Sequence, residues 1–352
     1  MPPIVRAIDI GFGNTKYVVP SAGGALECSH FPSIAHFRFD DKAMDPLGTR
    51  RRTVAPLVDG SYYEVGPDIE LATGRFRPDN LHDGFTDTPQ YRALVAGALH
   101  YMKVDAVDLL VLGLPVSHFL AKKAALERFA GQAIDVGRKR KVHIGRVLVL
   151  AQPQGALYAY ATQLGSTAAA VALGRSLVID VGARTFDWLV THRMKVMSNI
   201  SRSVNRGVSD ILIELATQIG RELKEAYPNL EAIDGALRSG KPLRIYQKNY
   251  ELRRYDAIVQ SVAEQAVSAM VQSMDRTNDV EHIVLGGGGA YLFRRAVKKA
   301  FPRHTIHEVQ EPIYANVRGF QLLGEQYVRE KPELFSVCEQ TVSDSSEQAP
   351  QS

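Results

Sequence analysis

The chain has 352 residues, of which 45% are hydrophobic and 23% charged, with a formal net charge of +4. That composition belongs to soluble globular proteins, and the length suggests two domains, each able to bury a core. Only Cys28 and Cys338 are present, so a disulfide framework and a Cys/His metal cluster are excluded, and no uncharged apolar run reaches the ~18–20 residues of a membrane span.

Arg6 and Asp9 interrupt the first apolar stretch, which argues against a signal peptide. A cytoplasmic protein without a membrane partner is expected. Residues 5–10 form a short apolar run with Asp9 near its end. Gly11 and Gly13 then make a tight turn, and residues 15–19 begin a second extended run. This reads as strand, glycine turn, strand. Glycine N–H groups can come close to an anion, and the turn can aim several at one phosphate. Lys16 can add positive charge, and the Asp9 carboxylate can hold a hydrated Mg²⁺. By itself, Asp-x-Gly after a strand is usually just a hairpin turn. It is not a P-loop, because Gly-x-x-x-x-Gly-Lys-Ser/Thr is absent. Nor is it a dinucleotide fingerprint, because the third glycine and the following helical pattern are missing.

Residues 21–88 are irregular and rich in Gly, Pro and Asp, with short strand-like pieces at 31–34 and 62–65. They read as a small subdomain inserted after the first hairpin. Arg50, Arg51 and Arg52 read as a solvated surface run. Residues 90–102 have helical spacing. Residues 107–114 are continuously apolar, as in a strand covered on both faces, and Pro115 stops it. Residues 118–129 form a basic helix. Arg138 to Lys141 reads as a turn or strand edge in water rather than a nucleic-acid contact. A strand at 142–150 runs into Gln152-Pro153-Gln154-Gly155, a junction with a helix that extends to about Gln163. The weakly patterned residues 165–174 are the expected domain boundary.

Residues 178–190 then repeat the opening motif. Asp180, Gly182, Ala183, Arg184 and Thr185 follow an apolar strand and precede another, 171 residues after the first copy and close to half the chain. Two like halves facing one nucleotide are the natural reading. Residues 194–203 look like strand. A helix follows Gly207, with Ser209 as N-cap and Ile211, Leu212, Leu215, Ile219 and Leu223 on one face. Residues 227–250 are polar and broken. A helix at 256–274 and a strand at 282–285 lead to Gly286, Gly287, Gly288 and Gly289. The next helix, 291–301, exposes Arg294, Arg295, Lys298 and Lys299. The last, 314–328, contains Gly319. Residues 336–352 should be disordered.

Five stretches now stand in order: the Asp9 hairpin, the Gln152 junction, the Asp180 hairpin, the Gly286–Gly289 turn and the Asn316–Gly319 helix start. Together they resemble the nucleotide site of the actin–Hsp70–sugar kinase superfamily, over residues 5 to about 325. Within it the chain is similar to the bacterial actin-like plasmid segregation proteins of the ParM/StbA group, with protein D of the plasmid-borne PRTRC cluster in the same neighbourhood. That likeness rests on Leu114-Pro115, residues 149–152, Gly207-Val208-Ser209, the Gly286 run and residues 314–319. One departure is Gln152, which matches actin, where ParM-like proteins have Glu. A neutral amide orients a water but is a poor base, so turnover should be slow.

The resemblance implies an α/β fold of two similar actin-like, ribonuclease H-like domains with a nucleotide cleft between them. Domain I would be residues 1–170, domain II 171–314, with a C-terminal helix at 315–335 returning to domain I. It implies ATP (GTP possible) and Mg²⁺. Gly11, Gly13, Asn14, Thr15, Lys16, Gly182, Ala183, Arg184 and Thr185 would hold the phosphates. Gly207, Gly286 to Gly289 and Tyr314 would lie at the nucleoside, although Tyr314 and Trp188 also read as core. Asp9 and Asp180 would hold Mg²⁺ through its waters, and Gln152 would place the attacking water. Asp187 is left between a structural role and a partner of the metal's waters. The implied activity is ATP hydrolysis coupled to self-assembly into a helical filament, with a DNA-binding adaptor on plasmid DNA. The alternative is a non-polymerising member, a small-molecule kinase or chaperone-like ATPase. The sugar-binding segment with a catalytic Asp expected of a kinase and the long substrate domain expected of a chaperone are not found in the sequence.

Overall fold

A computed structural model describes residues 2–20, 26–39, 51–73, 84–165, 168–274 and 276–335. The two halves build sheets of one design. In the first, the strand order is Glu27–Pro32, Asn14–Val19, Val5–Ile10, Ala106–Leu114, Lys141–Ala151, Ala133–Asp135. In the second it is Lys195–Val196, Phe186–His192, Arg175–Val181, His282–Gly286, Ile306–Glu308, with Arg202–Val204 also pairing to Phe186–His192. Each sheet starts as an antiparallel hairpin and continues with parallel strands that need helical crossovers.

The continuous apolar strands follow from cover on both faces. Side chains alternate along a strand. Ile8, Leu110 and Leu112 pack with Leu94 and Leu99 of the helix Pro89–Met102. Ala7, Leu109 and Val111 point the other way, onto Val317 and Phe320 of the helix Ala315–Glu330. In the second sheet Leu177 and Ile179 pack with Ile211 and Leu215 of the helix Val208–Leu223 and with Val259 and Ala263 of the helix Asp256–Ser273. Val178 and Val284 meet Ala156, Leu157 and Tyr160 of the helix Gln152–Gln163.

The covering helices are exchanged. Gln152–Gln163 leaves the first sheet and lies on the second. Ala315–Glu330 leaves the second half and lies on the first. They cross at Gly155 and Gly319, where a Cβ on Gly319 would stand 1.8 Å from the Gly155 carbonyl oxygen. Only two glycines allow that approach. Val317 and Phe320 of the helix Ala315–Glu330 pack on Val5, Ala7, Leu109 and Val111 of the first sheet.

Several expectations change. Glu27–Pro32 pairs along the whole of Asn14–Val19, so it belongs to the main sheet and the inserted piece begins after it. The insertion holds the small strands His36–Arg38, Leu57–Val58 and Ser61–Glu64 and the short helix Glu70–Thr73. Parts of it, with Arg50 and residues 336–352, lie outside the described residues. Arg51 and Arg52 are ion-paired to Glu64 and Asp68. Residues 227–250 are ordered: Asn229 caps the helix Leu230–Ser239, and Leu243–Ile245 pairs with Lys248–Tyr250. Residues 194–203 are not one strand: a positive-φ turn at Arg193 and Met194 leads into Lys195–Val196, and Arg202 begins a separate strand, Arg202–Val204. The boundary stretch contains the helix Ala168–Leu173, whose Val171 packs on the Gln152–Gln163 helix. Arg138 and Lys139 form an exposed turn, as expected. No described helix is long and apolar enough to cross a membrane.

Candidate nucleotide cleft

The repeat in sequence is a repeat in hydrogen bonding. In the first hairpin the Gly11 N–H donates to the Asn14 carbonyl at 3.1 Å. In the second, Gly182 donates to the Thr185 carbonyl at 2.9 Å. The tips touch: a Cβ on Gly13 would come 3.1 Å from the Ala183 Cβ, and the Arg184 guanidinium lies 5.2 Å from the Phe12 ring centroid. Between the hairpins is a cavity of about 300 Å³, within the range of small-ligand sites.

Asp9, Gly11, Gly13, Asn14, Lys16, Gln152, Asp180, Gly182, Ala183, Thr185, Gly287, Gly288 and Gly289 all line it. Asp9 is fully buried, paired with Lys16 Nζ at 2.9 Å, and accepts the Gln152 amide N–H at 2.7 Å. That leaves Gln152 Oε1 to accept from a water. Gln154 is not an alternative to it, because its Oε1 accepts the Ala151 N–H at the helix start. Asp180 accepts from Asn316 Nδ2 at 2.7 Å. Burial, with the charges of Asp187 and Asp9, raises its pKa to about 7. Two buried carboxylates facing one cavity suit a cation that would neutralise both. Among the described residues no group of three or more His, Cys, Asp or Glu could hold a metal directly.

The hairpins differ at the register position opposite the acid. Asp9 stands opposite Lys16, and Asp180 stands opposite Asp187. Asp187 is buried and, unlike Lys16, does not line the cavity. It accepts from the Ser203 hydroxyl and, at 3.1 Å, from the Val116 N–H of the loop after the first domain's apolar strand. Asp187 therefore has a structural role: it ties the second hairpin to the first domain. Burial raises its pKa.

Other expected residues serve the site from behind. Thr15 is buried and its hydroxyl pairs with Ser33. Gly207 does not offer a helix N-terminus to phosphate. The N–H groups of Val208 and Ser209 donate to the Gly182 and Ala183 carbonyls, and that of Gly207 to Asp210. Gly207 itself, rather than Ser209, is the cap. Its glycine is needed because a Cβ would sit 2.5 Å from the Ala183 carbonyl oxygen. Gly287 has φ +85°, and a Cβ there would lie 2.3 Å from Asp180 Oδ1. Gly289 abuts Val208 and Val181. These two glycines fit the turn against the second hairpin, whereas Gly286 ends its strand and would accept a Cβ at ordinary contact distances. Tyr314 is outside the cavity, with its hydroxyl 2.7 Å from His30 Nδ1. Trp188 is core, donating to the Ile200 carbonyl.

Sequence reasoning assigned no role to Asn316 or to the far wall. There Leu212, Leu230 and Ile313 make an apolar slot beside Asp234 and Arg238. Arg238 is pinned by Asp234 at 2.7 Å and by the Gly288 carbonyl at 2.9 Å. The signals for that helix were the Asn229 cap and the helical spacing of Leu230, Ile233 and Leu237, set in an otherwise polar stretch.

Gln152→Ala is expected to slow nucleotide hydrolysis by about 10²-fold while changing nucleotide affinity less than threefold, because an orienting group acts mainly in the transition state. Single-turnover phosphate release and equilibrium binding of the same variant check both halves. A collapse of affinity would make Gln152 a folding or binding residue.

Family models of the N-terminal domain of actin-like proteins and of the C-terminal domain of archaeal MreB-like actin homologues match residues 7–155 and 178–299 respectively. No curated protein matches the chain in sequence. Solved structures do. The archaeal actin homolog Ta0583, also solved in complex with ADP, superposes with a TM-score of 0.73 at 21% identity, over 92% of this chain and 99% of that one. The psk41 ParM protein gives 0.67 at 18% identity, over 96% and 100%. A ParM from Clostridium botulinum, seen in a 15-stranded filament, gives 0.72 at 19% identity, over 93% and 100%. Two matched halves in order, on the shared two-domain α/β architecture, place this chain in the family of actin-like proteins.

Proposed function

We propose that this protein is an ATPase that binds Mg²⁺-ATP between its two domains and assembles with itself into a helical filament, in the service of plasmid DNA segregation through a DNA-binding adaptor. The observation that carries the reading is the pair of hairpins that set Asp9 and Asp180 on one cavity with Gln152 bonded to Asp9. Backbone N–H groups of the hairpin turns and Lys16 cradle the β- and γ-phosphates. Asp9 and Asp180 would hold Mg²⁺ through its waters, and the cation would supply positive charge against the negative charge on the phosphate oxygens during transfer. Gln152 Oε1 orients the attacking water in line with the γ-phosphate. The apolar slot with Asp234 and Arg238 takes the nucleoside; GTP in place of ATP would fit the same slot.

Assembly is supported by likeness to a ParM that forms filaments. A clamp closed on nucleotide fixes the two ends of the subunit relative to each other. Head-to-tail contacts that do not close into a ring then propagate as a helix. Light scattering at micromolar protein is expected to rise on adding Mg²⁺-ATP or a non-hydrolysable analogue, with filaments in negative stain. A protein that hydrolyses ATP yet stays monomeric at every concentration and under crowding would favour a kinase-like member of the superfamily.

A further inference from the structure

The helix Leu230–Ser239 is a wall shared by two cavities. Its Asp234 and Arg238 line the nucleotide cleft. Its Ala236 and Leu237 line a second cavity of about 330 Å³, which has no lining residue in common with the cleft. Leu252, Val259, Leu292 and the Tyr291 ring give that cavity an apolar floor. Two more helices bring polar groups to it. Asp256 and Gln260 stand one turn apart on the helix Asp256–Ser273, and Tyr291 and Arg295 stand one turn apart on the helix Ala290–Ala300.

The polar groups of this cavity are unmatched. Lys241, Arg253 and Arg295 bring positive charge and Glu251 and Asp256 negative charge, yet none of the five is ion-paired among the described residues. Opposite charges line one cavity without meeting. Gln260 Oε1 is buried and accepts no hydrogen bond among the described residues. Buried polar atoms are nearly always paired, and leucine at 260 would fill the space without an orphaned acceptor. A ligand that answers all three features carries an anionic group for Arg295 and Lys241, a cationic N–H donor for Gln260 and Asp256, and an apolar part for the floor. An α-amino acid with an apolar side chain holds those groups on one carbon. It also suits a cavity at the small end of the range for ligand sites.

We propose that this second cavity binds a small zwitterion of the apolar α-amino acid class, and that its occupancy is felt in the nucleotide cleft. Tyr291 makes the connection. Its ring lines the second cavity, its hydroxyl donates to Asp234 at 3.0 Å, and the Arg238 guanidinium lies 4.9 Å from its ring centroid. Asp234 and Arg238 flank the slot assigned to the nucleoside. A ligand packed on Tyr291 holds all three side chains in place before the nucleotide arrives, so ADP binds more tightly. By linkage, ADP tightens the zwitterion by the same factor. The site is independent of the ATP reading above; the coupling rests on it.

The test is calorimetric titration of L-leucine and L-phenylalanine into the full chain. Isocaproate, which lacks the ammonium of leucine, and isoamylamine, which lacks its carboxylate, are the matched probes. At least one amino acid should bind saturably at millimolar concentration or below, with the two truncated probes about tenfold or more weaker than leucine. Arg295→Gln and Asp256→Asn, both at exposed positions, should each weaken the amino acid about tenfold. Gln260→Leu should weaken it as well, with Tm unchanged or higher because an orphaned acceptor has been removed. ADP affinity should rise about fivefold with the amino acid bound, and this gain should vanish in Tyr291→Phe, which keeps the ring and loses the bond to Asp234. No saturable binding of either amino acid by folded wild type, or binding that all three cavity variants leave unchanged, would overturn the site. Truncated probes that bind as well as leucine would overturn its zwitterion chemistry. An amino acid bound with ADP affinity unmoved would overturn the coupling. Failure of the wild type to bind ADP would instead remove the ATP reading, and the amino-acid titrations would still decide the site.

Discussion

Asp180→Asn is expected to abolish ATP turnover and, in the same protein, to raise the stability of the nucleotide-free state above pH 7. Asp180→Ala should likewise abolish hydrolysis, and Asp9→Ala should impair it strongly. The two effects of Asp180→Asn have one cause. The Asp180 carboxyl is buried beside Asp187 and Asp9, and its pKa rises from 3.8 to about 7. A carboxyl raised on folding leaves stability intact below the unfolded pKa. That stability is lost as pH climbs from about 4 to about 7, and above 7 the loss is complete. At ~1.4 kcal/mol per pK unit, about 4 kcal/mol is the ceiling on the cost of the bare charge. The amide carries no charge and can still accept from Asn316, so the variant recovers part of that cost. Its advantage over wild type should be small at pH 5 and several degrees in Tm at pH 8. Mg²⁺-nucleotide should raise the Tm of wild type and leave the variant unmoved, because the carboxylate that holds the cation's waters is gone. Equal phosphate release in wild type and variant would sink the assignment of Asp180 to the reaction. A variant less stable than wild type at both pH values would show that the carboxylate is satisfied without a cation.

The second large effect concerns the helix crossing. Gly319→Val is expected to prevent the two domains from packing, giving insoluble protein or loss of a single cooperative unfolding transition. Even Gly319→Ala places a carbon 1.8 Å from the Gly155 carbonyl oxygen and 2.5 Å from its carbon. The neighbour is backbone in the middle of a helix, so a side-chain rotation cannot relieve the contact. The helices must separate, which also draws Val317 and Phe320 away from the first sheet. Overpacking of this kind costs about 3 kcal/mol or more. Gly235→Ala is the control. It lies in the exposed helix Leu230–Ser239 with nothing within 4 Å of a new Cβ, and should gain up to about 1 kcal/mol. Chemical denaturation of the three variants orders them. A Gly319→Ala protein as stable as Gly235→Ala would mean that the crossing is loosely packed.

The hairpins could be read from the chain because their signal is local. Asp9 and Asp180 stand at the same point of two strand–turn–strand patterns, and the turn glycines follow at fixed spacing. The Gln152 junction was equally plain, since a strand runs directly into a helical pattern there. What escaped depends on contacts between distant segments. Asn316 meets Asp180 across 136 residues, and Asp187 reaches Val116 across 71. Nothing in the composition of residues 227–250 announces that Asp234 and Arg238 line the cleft. The glycines illustrate the same divide. Their presence near the site was legible, but Gly207 and Gly287 are required by the backbone and carboxylate packed against them rather than by a ligand. Tyr314 was placed at the nucleoside by analogy of position. Its hydroxyl meets His30 instead.

In the proposed function, two halves of one chain close on a single nucleotide through a cation. Titration of ATP into the purified protein by calorimetry, with Mg²⁺ and again with EDTA, tests it most directly. One site per chain is predicted, with affinity at least tenfold weaker when the cation is removed. Binding that ignores Mg²⁺, or no binding at all by a folded protein, would contradict it.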